Sequence, residues 1–105
     1  YIRCDKKMIP LLPFSLHIIE GHSMEPLLNE GDRILCCNLG YVFSEPEEGD
    51  VVLVSVSGKE LVKRIASVAG NNYFIAGINK SDSFDSRAFG YVHRKAILAK
   101  VIAKY

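Results

Sequence analysis

The chain has 105 residues, 49% of them hydrophobic, and thirteen Lys and Arg against twelve Asp and Glu give a net charge of +1. This length fits a single domain over residues 1–105, and the apolar content is enough to build a core, which excludes an intrinsically disordered chain. Basic residues are spread along the sequence, so no nucleic-acid partner is expected.

The most apolar stretch, residues 8–19, contains Pro10 and Pro13. It is shorter than the roughly 20 residues that cross a bilayer, and no small-residue cleavage site follows it. The sequence begins with Tyr1 and not Met, which leaves open a segment upstream. Residues 1–18 are assigned to the peptidase domain, as either the end of a membrane anchor or a segment near a leader. With an anchor upstream of residue 1 we expect membrane association, and without one a cytoplasmic protein.

Five later segments are rich in Val, Ile and Leu and are separated by turns that contain Gly. They predict short strands at residues 33–38, 50–56, 60–69, 73–78 and 96–103. The sequence therefore predicts an all-β fold of short antiparallel strands. Residues 30–35 and 48–53 both begin Glu-Gly-Asp, which we interpret as the same turn feeding a strand twice and not as a solenoid repeat.

The three cysteines are Cys4, Cys36 and Cys37. An odd number that includes an adjacent pair does not favour a disulfide framework, and the pair lacks the two-residue spacer of a zinc site. We predict core or near-core thiols, no metal and no cofactor.

Ser23 lies in a turn whose residues 21–26 read Gly-His-Ser-Met-Glu-Pro. Gly21 permits unusual backbone angles and Pro26 fixes the exit of the turn, so the segment is suited to present a hydroxyl and a backbone N–H. An ordinary surface turn explains these six residues equally well.

Lys63 falls in a predicted strand, where alternate side chains share a face. It then points to the same side as Leu61 and Ile65, while Glu60 and Arg64 point to the other. A lysine on an apolar face is desolvated, which lowers its pKa from about 10.4 and suits it to act as a general base. Taken alone, a lysine whose head group reaches water is the simpler explanation.

A polar stretch over residues 81–90 reads Ser-Asp-Ser-Phe-Asp-Ser-Arg-Ala-Phe-Gly. Asp85 and Arg87 are two residues apart, which in extended chain places them on one side, able to pair or to fix neighbouring loops. By itself this is a polar loop.

Together the three segments resemble the signal peptidase I family of serine proteases. Residues 23–26 match its Ser-Met-x-Pro motif and residues 63–64 its Lys-Arg motif. The family's third motif has two segments. Residues 83–90 match its Ser-x-Asp-Ser-Arg-x-x-Gly segment in full, and residues 77–79, Gly-Ile-Asn, match its Gly-Asp-Asn segment at two of three positions. The motifs occur in the family's order and the resemblance covers roughly residues 19–104.

The resemblance implies a compact signal-peptidase-like β domain that uses Ser23 as nucleophile and Lys63 as general base. It further implies that Ser83 orients the lysine, that Asp85 and Arg87 brace the site, and that the Ser23 N–H is an oxyanion donor. Four positions match residues that line the substrate pocket, which prefers small side chains next to the cut: Ile19, Met24, Leu28 and Val62.

Two positions depart from the family pattern. Gly21 stands where some members carry a serine hydroxyl, so a side-chain oxyanion donor is absent, and Ile78 stands where the third motif has Asp. His22 is a rival base, but adjacent side chains in extended chain point apart. His17 and His93 lie outside the Lys-Arg motif, so Lys63 keeps the role.

The expected activity is a serine endopeptidase that removes N-terminal signal or leader peptides from preproteins. Only about ten residues separate Ile65 from Ile75, which leaves no room for the inserted second domain of full-sized signal peptidases. This spacing also resembles the small maturation proteases that trim the leader of nickel superoxide dismutase. A self-cleaving repressor domain fits less well. Its Ala-Gly scissile bond should precede the serine, whereas Ala69-Gly70 and Ala76-Gly77 both follow Ser23. A catalytically inactive β module that binds peptides is the alternative from another class.

Overall fold

The computed structural model describes residues 2–4, 14–37, 44–79 and 86–104. These residues form eight β-strands, one short α-helix and a 3₁₀ turn. In chain order they are β1 (Ile2–Cys4), β2 (Phe14–Ile19), β3 (Arg33–Cys37), β4 (Val51–Val56), β5 (Lys59–Ala69), β6 (Asn72–Ala76), α1 (Ser86–Phe89), β7 (Val92–His93), the 3₁₀ turn (Arg94–Ala96) and β8 (Ile97–Lys104).

The strands make one antiparallel sheet in the order β1-β2-β3-β8-β4-β5-β6-β7. This confirms the all-β prediction and the five predicted strands, with small differences at their ends. β2 was not among those predictions. Two residues join β5 to β6, so this hairpin carries no inserted domain. Among the described residues, no helix is long and apolar enough to span a membrane.

The repeated Glu-Gly-Asp sequence folds into two matching turns. In the first, Asn29 N–H donates to Asp32 Oδ2 at 2.8 Å and Gly31 N–H donates to the Ile19 carbonyl at 2.9 Å. In the second, Glu47 N–H donates to Asp50 Oδ2 at 3.1 Å, and the following glycine bonds to the Ile65 carbonyl. An aspartate that caps its own turn in this way explains why the pattern precedes β3 and β4. The interpretation as local turn chemistry is confirmed.

The sheet has an apolar cluster on each face because side chains alternate along its strands. β4 shows this directly: Leu53 packs into the first cluster, whereas Val52 and Val54 pack into the second. The first cluster consists of Ile19, Met24, Leu28, Ile34, Cys36, Leu53, Val62 and Ala99. The second consists of Val52, Val54, Leu61, Ile65, Tyr73, Ile75 and Val92.

Cys36 and Cys37 are free thiols, as predicted, and Cys36 is fully buried in the first cluster. Burial, and to a smaller extent the charge of Glu60, raises the pKa of the Cys36 thiol to about 12. This thiol is therefore protonated at neutral pH and behaves as a small apolar side chain. The side chain of Cys4 lies outside the part of the chain that the structure describes.

Candidate active site

Ser23 lies in the loop over residues 20–28, between β2 and β3, and is partly buried. Met24 and Leu28 anchor this loop, because their side chains are 2% and 4% exposed and both belong to the first cluster. Leu28 N–H donates to the Met24 carbonyl at 2.9 Å, which closes one turn between the two anchors. The Glu25-Pro26 peptide bond is cis. The serine thus lies on a short loop that is anchored by the packing of Met24 and Leu28 into the first cluster.

Gly21 has a φ of +89°, and a Cβ built there would meet no atom within 4 Å. The space is open, but the backbone conformation is one that L side chains rarely adopt. Its N–H donates to Glu30 Oε1 at 3.4 Å. At this position the conformation of the backbone, and not crowding, favours glycine over a residue with a side chain.

Lys63 is buried in the middle of β5, with 2% of its surface exposed. Leu61 and Ile65 are also buried on its side of the strand and belong to the second cluster, whereas Arg64 is exposed. Its cross-strand partner is the fully buried Val52. The predicted apolar setting of Lys63 is confirmed, and burial of this kind disfavours the charged ammonium form.

The structure brings the four predicted pocket residues together. All belong to the first cluster and are buried, with exposures of 1% to 4%: Ile19, Met24, Leu28 and Val62. Ser23 directly precedes Met24 of this cluster. Lys63 follows Val62, but successive side chains of a strand face opposite sides, so the Lys63 side chain lies on the face of the second cluster with Leu61 and Ile65.

A second link runs through the residues after β6. Arg64 pairs with Ala76, so the chain that continues past Ala76 leaves the sheet beside Lys63. Ile78 then packs against the first cluster, and Asn79 N–H donates to the Ser23 carbonyl at 2.8 Å. Ile78 replaces the acidic residue of the family motif with an apolar contact.

The three histidines differ in their environments. The exposed ring of His22 has Nδ1 2.5 Å from Glu25 Oε2 and Nε2 3.8 Å from Glu30 Oε2. Its side chain thus contacts the carboxylates of Glu25 and Glu30. His93 is exposed, and its Nδ1 accepts a hydrogen bond from Lys95 N–H at 3.1 Å.

His17 is buried in β2, and its Nε2 lies 2.9 Å from Ser15 Oγ. Among the described residues, its Nδ1 has no hydrogen-bond partner. Burial lowers the pKa of the His17 imidazole below its usual value near 6.5, and the charge of Glu60 partly opposes that shift. The ring is therefore neutral at neutral pH.

The third motif is described only from Ser86 onward, so the predicted supports Ser83 and Asp85 lie outside the described residues. Ser86 is buried, and its Oγ accepts a hydrogen bond from Ile75 N–H at 2.9 Å, which ties α1 to β6. Arg87 is exposed on α1. Sequence reasoning missed the role of Ser86, although it is one of the fixed letters of the motif.

An apolar groove of about 280 Å³ opens beside the Ser23 loop and was also missed. Leu27 and Ile102, which are roughly half exposed, lie at its rim. It is lined by Leu27, Leu28, Val51, Val101, Ile102, Ala103 and Lys104. The sequence signal for this groove was the pair of leucines after Pro26. Leu28 packs into the core, whereas its neighbour Leu27 stays half exposed.

The family model for signal peptidase, peptidase S26, matches residues 8–72 and 67–105 of this chain. The chain belongs to the signal peptidase family. No individual curated protein matches it. Membership supports a peptidase that acts on preproteins, as expected from the three motifs. Among the described residues of this signal peptidase family member, no group of three or more His, Cys, Asp or Glu side chains is placed to hold a metal ion.

Proposed function

We propose that the protein is a serine endopeptidase that uses Ser23 as nucleophile and Lys63 as general base to remove N-terminal signal or leader peptides from preproteins. The observation that carries this proposal is the burial of Lys63, 2% exposed on an apolar strand face. Beside it the chain leaves β6 towards Asn79, whose N–H donates to the Ser23 carbonyl at 2.8 Å. Burial of a lysine disfavours its charged form and lowers its pKa, and each unit of that decrease corresponds to about 1.4 kcal/mol of free energy. The function that accounts for this cost is general-base catalysis, in which the neutral amine accepts the proton of the attacking hydroxyl.

The reaction follows from these two groups. The neutral Lys63 amine accepts the Ser23 proton as Oγ attacks the carbonyl carbon of the scissile bond. The Ser23 N–H donates to the oxyanion of the tetrahedral intermediate. On collapse the C–N bond breaks and the leaving amine takes the proton from the Lys63 ammonium. Lys63 then deprotonates a water that attacks the ester carbonyl carbon. On collapse the C–Oγ bond breaks, Ser23 Oγ takes the proton back from the Lys63 ammonium, and the N-terminal fragment leaves.

The remaining residues support this site. We assign Ser83 to orienting the Lys63 amine, and Asp85 and Arg87 to bracing the site. The family resemblance implies a preference for a small substrate side chain next to the cut, and the four residues that match the family's pocket positions all lie in the first cluster. The substrate we propose is a preprotein whose leader is extended near the cleavage site.

A second candidate substrate is the leader of nickel superoxide dismutase. The direct β5–β6 hairpin favours it, because a two-residue connection matches the compact maturation proteases better than signal peptidases with an inserted domain. Both candidates use the same chemistry at Ser23. A catalytically inactive peptide-binding module is the outcome if no turnover is found.

The test is cleavage of leader-derived peptides with Ala before the scissile bond, followed by mass spectrometry of the products. We expect Ser23→Ala and Lys63→Met each to lower turnover at least about a thousandfold with the fold retained. Ser55→Ala and Lys59→Met are matched controls, since Ser55 is partly buried in β4 and Lys59 is exposed at the start of β5.

Wild-type activity from either folded dyad variant would refute the dyad. Loss of activity in the two control variants as well would show that the substitutions act through the sheet and not through chemistry. Binding of the peptides without cleavage by the wild-type protein would favour the inactive module. Comparison of both leader classes distinguishes the two substrate proposals.

A further inference from the structure

Asn79 makes two hydrogen bonds to the Ser23 loop from a distant part of the chain. Its backbone N–H donates to the Ser23 carbonyl at 2.8 Å, and its side-chain Nδ2 donates to the His22 carbonyl at 3.0 Å. The His22 carbonyl also accepts from Glu25 N–H at 3.2 Å. One residue thus holds two successive peptide groups on either side of the proposed nucleophile.

These bonds fix more than the carbonyls that accept them. A trans peptide group is planar, so its C=O and N–H point in opposite directions. The cis peptide bond between Glu25 and Pro26 lies further along the loop, and the His22-Ser23 group is trans. Holding the His22 carbonyl towards Asn79 therefore turns the Ser23 N–H to the opposite side. In the same way, the bond to the Ser23 carbonyl sets the direction of the Met24 N–H.

We propose that Asn79 is a positioning residue that aims the Ser23 N–H at the oxyanion. The inference rests on the proposed function, in which that N–H is an oxyanion donor. A donor contributes most when its direction is fixed before the reaction, because no reorganisation is then needed as charge develops. Gly21 carries no hydroxyl that could supply a second donor from the same loop.

The surroundings of Asn79 suit this task. Ile78 packs against the first cluster, which also contains Met24, so apolar contacts fix both ends of the clamp. A side-chain amide is needed at position 79, because the His22 carbonyl can only accept and aspartate has the same shape without a donor. Asn79→Asp therefore removes the side-chain bond and keeps the backbone bond.

The experiment compares Asn79→Asp and Asn79→Ala with wild type and with Asn71→Asp. Asn71 is exposed in the β5–β6 turn, so its variant controls for the change of charge. We measure kcat and KM on a cleavable peptide, the affinity for a peptide aldehyde, and the affinity for the matching peptide amide. The aldehyde adds to Ser23 and creates an oxyanion, whereas the amide binds without reacting.

For both Asn79 variants we expect kcat to fall roughly 10- to 100-fold, less than the loss of a whole donor, with KM within about twofold. Aldehyde binding should weaken by a similar factor while amide binding is unchanged. Asn71→Asp should match wild type.

Equal weakening of the aldehyde and the amide would overturn the inference, since it would indicate general disorder of the site. Kinetics of Asn79→Asp equal to those of Asn71→Asp, or loss of the fold in both Asn79 variants, would also overturn it. A wild-type protein that neither cleaves peptide nor binds the aldehyde through Ser23, as judged with Ser23→Ala, would instead defeat the proposed function itself. Ser23-dependent activity that is insensitive to position 79 would defeat only the role of Asn79.

Discussion

Substitution of Gly21 by serine restores the hydroxyl that some family members carry, yet we expect it to weaken the protein. Gly21 has a φ of +89° with no atom within 4 Å of a built Cβ, so the cost comes from backbone strain and not from a clash. A non-glycine residue in the left-handed region costs about 1 to 2 kcal/mol. For a domain of roughly this size, each kcal/mol corresponds to about 4 to 8 °C in melting temperature.

Gly21→Ser and Gly21→Ala should therefore lose similar stability in urea and thermal denaturation, and neither should gain turnover. Relief of the strain would rotate the peptide groups that lead into Ser23. Gly58→Ala is the matched control, because Gly58 has a φ of +80° and equally open space in the β4–β5 hairpin. It should lose comparable stability with kcat unchanged. A Gly21→Ser variant as stable as wild type would refute the reasoning.

Three further predictions concern single side chains. Activity should rise with pH through an apparent pKa below the usual lysine value of about 10.4, and Ile65→Asn should move that rise to higher pH by admitting water next to Lys63. Arg87→Ala should change the free energy of unfolding by no more than about 1 kcal/mol, because Arg87 is exposed; a loss of 2 to 4 kcal/mol is expected only of a buried pair. Stability should fall as pH drops below about 6.5, because His17 has a lowered pKa in the folded protein and the unfolded chain binds its proton first. His17→Leu should remove that part of the acid sensitivity.

Each of these has a clear contradicting result. For Lys63, a wild-type rise near pH 10 that Ile65→Asn does not move would exclude a buried general base, and a rise near 6.5 would indicate histidine. A large drop in melting temperature for Arg87→Ala would show that its contacts are stronger than its exposure indicates. An acid-denaturation curve of His17→Leu parallel to that of wild type would show that other groups account for the loss.

Local patterns predicted those parts of the fold that depend on neighbours in sequence. A stretch rich in Val, Ile and Leu between turns that contain Gly identified β5, and the alternation of side chains along a strand then predicted the buried face of Lys63. Glu-Gly-Asp marked the turns before β3 and β4. β2 was missed because its apolar run continues from residues 8–13 and contains the buried polar His17, which hides the alternation. α1 has four residues, too few to show a helical period.

The candidate site was predicted by the order of three motifs and not by spacing alone. What the motifs could not reveal is the contact between Asn79 and His22, which are 57 residues apart. Such a bond depends on how the chain leaves β6, and no local sequence pattern encodes it. The groove at Leu27 and Ile102 likewise forms only when the Ser23 loop meets β8.

The central claim is that Ser23 forms an acyl-enzyme with the help of Lys63. The most direct measurement is to mix the protein with a leader-peptide ester, quench in acid within the first turnover, and determine the intact mass and the modified residue by peptide mapping. The account predicts a mass increase equal to the peptide acyl group, located on Ser23, absent in Ser23→Ala and strongly slowed in Lys63→Met. An acyl group on another residue, or hydrolysis at the wild-type rate by Ser23→Ala, would contradict it.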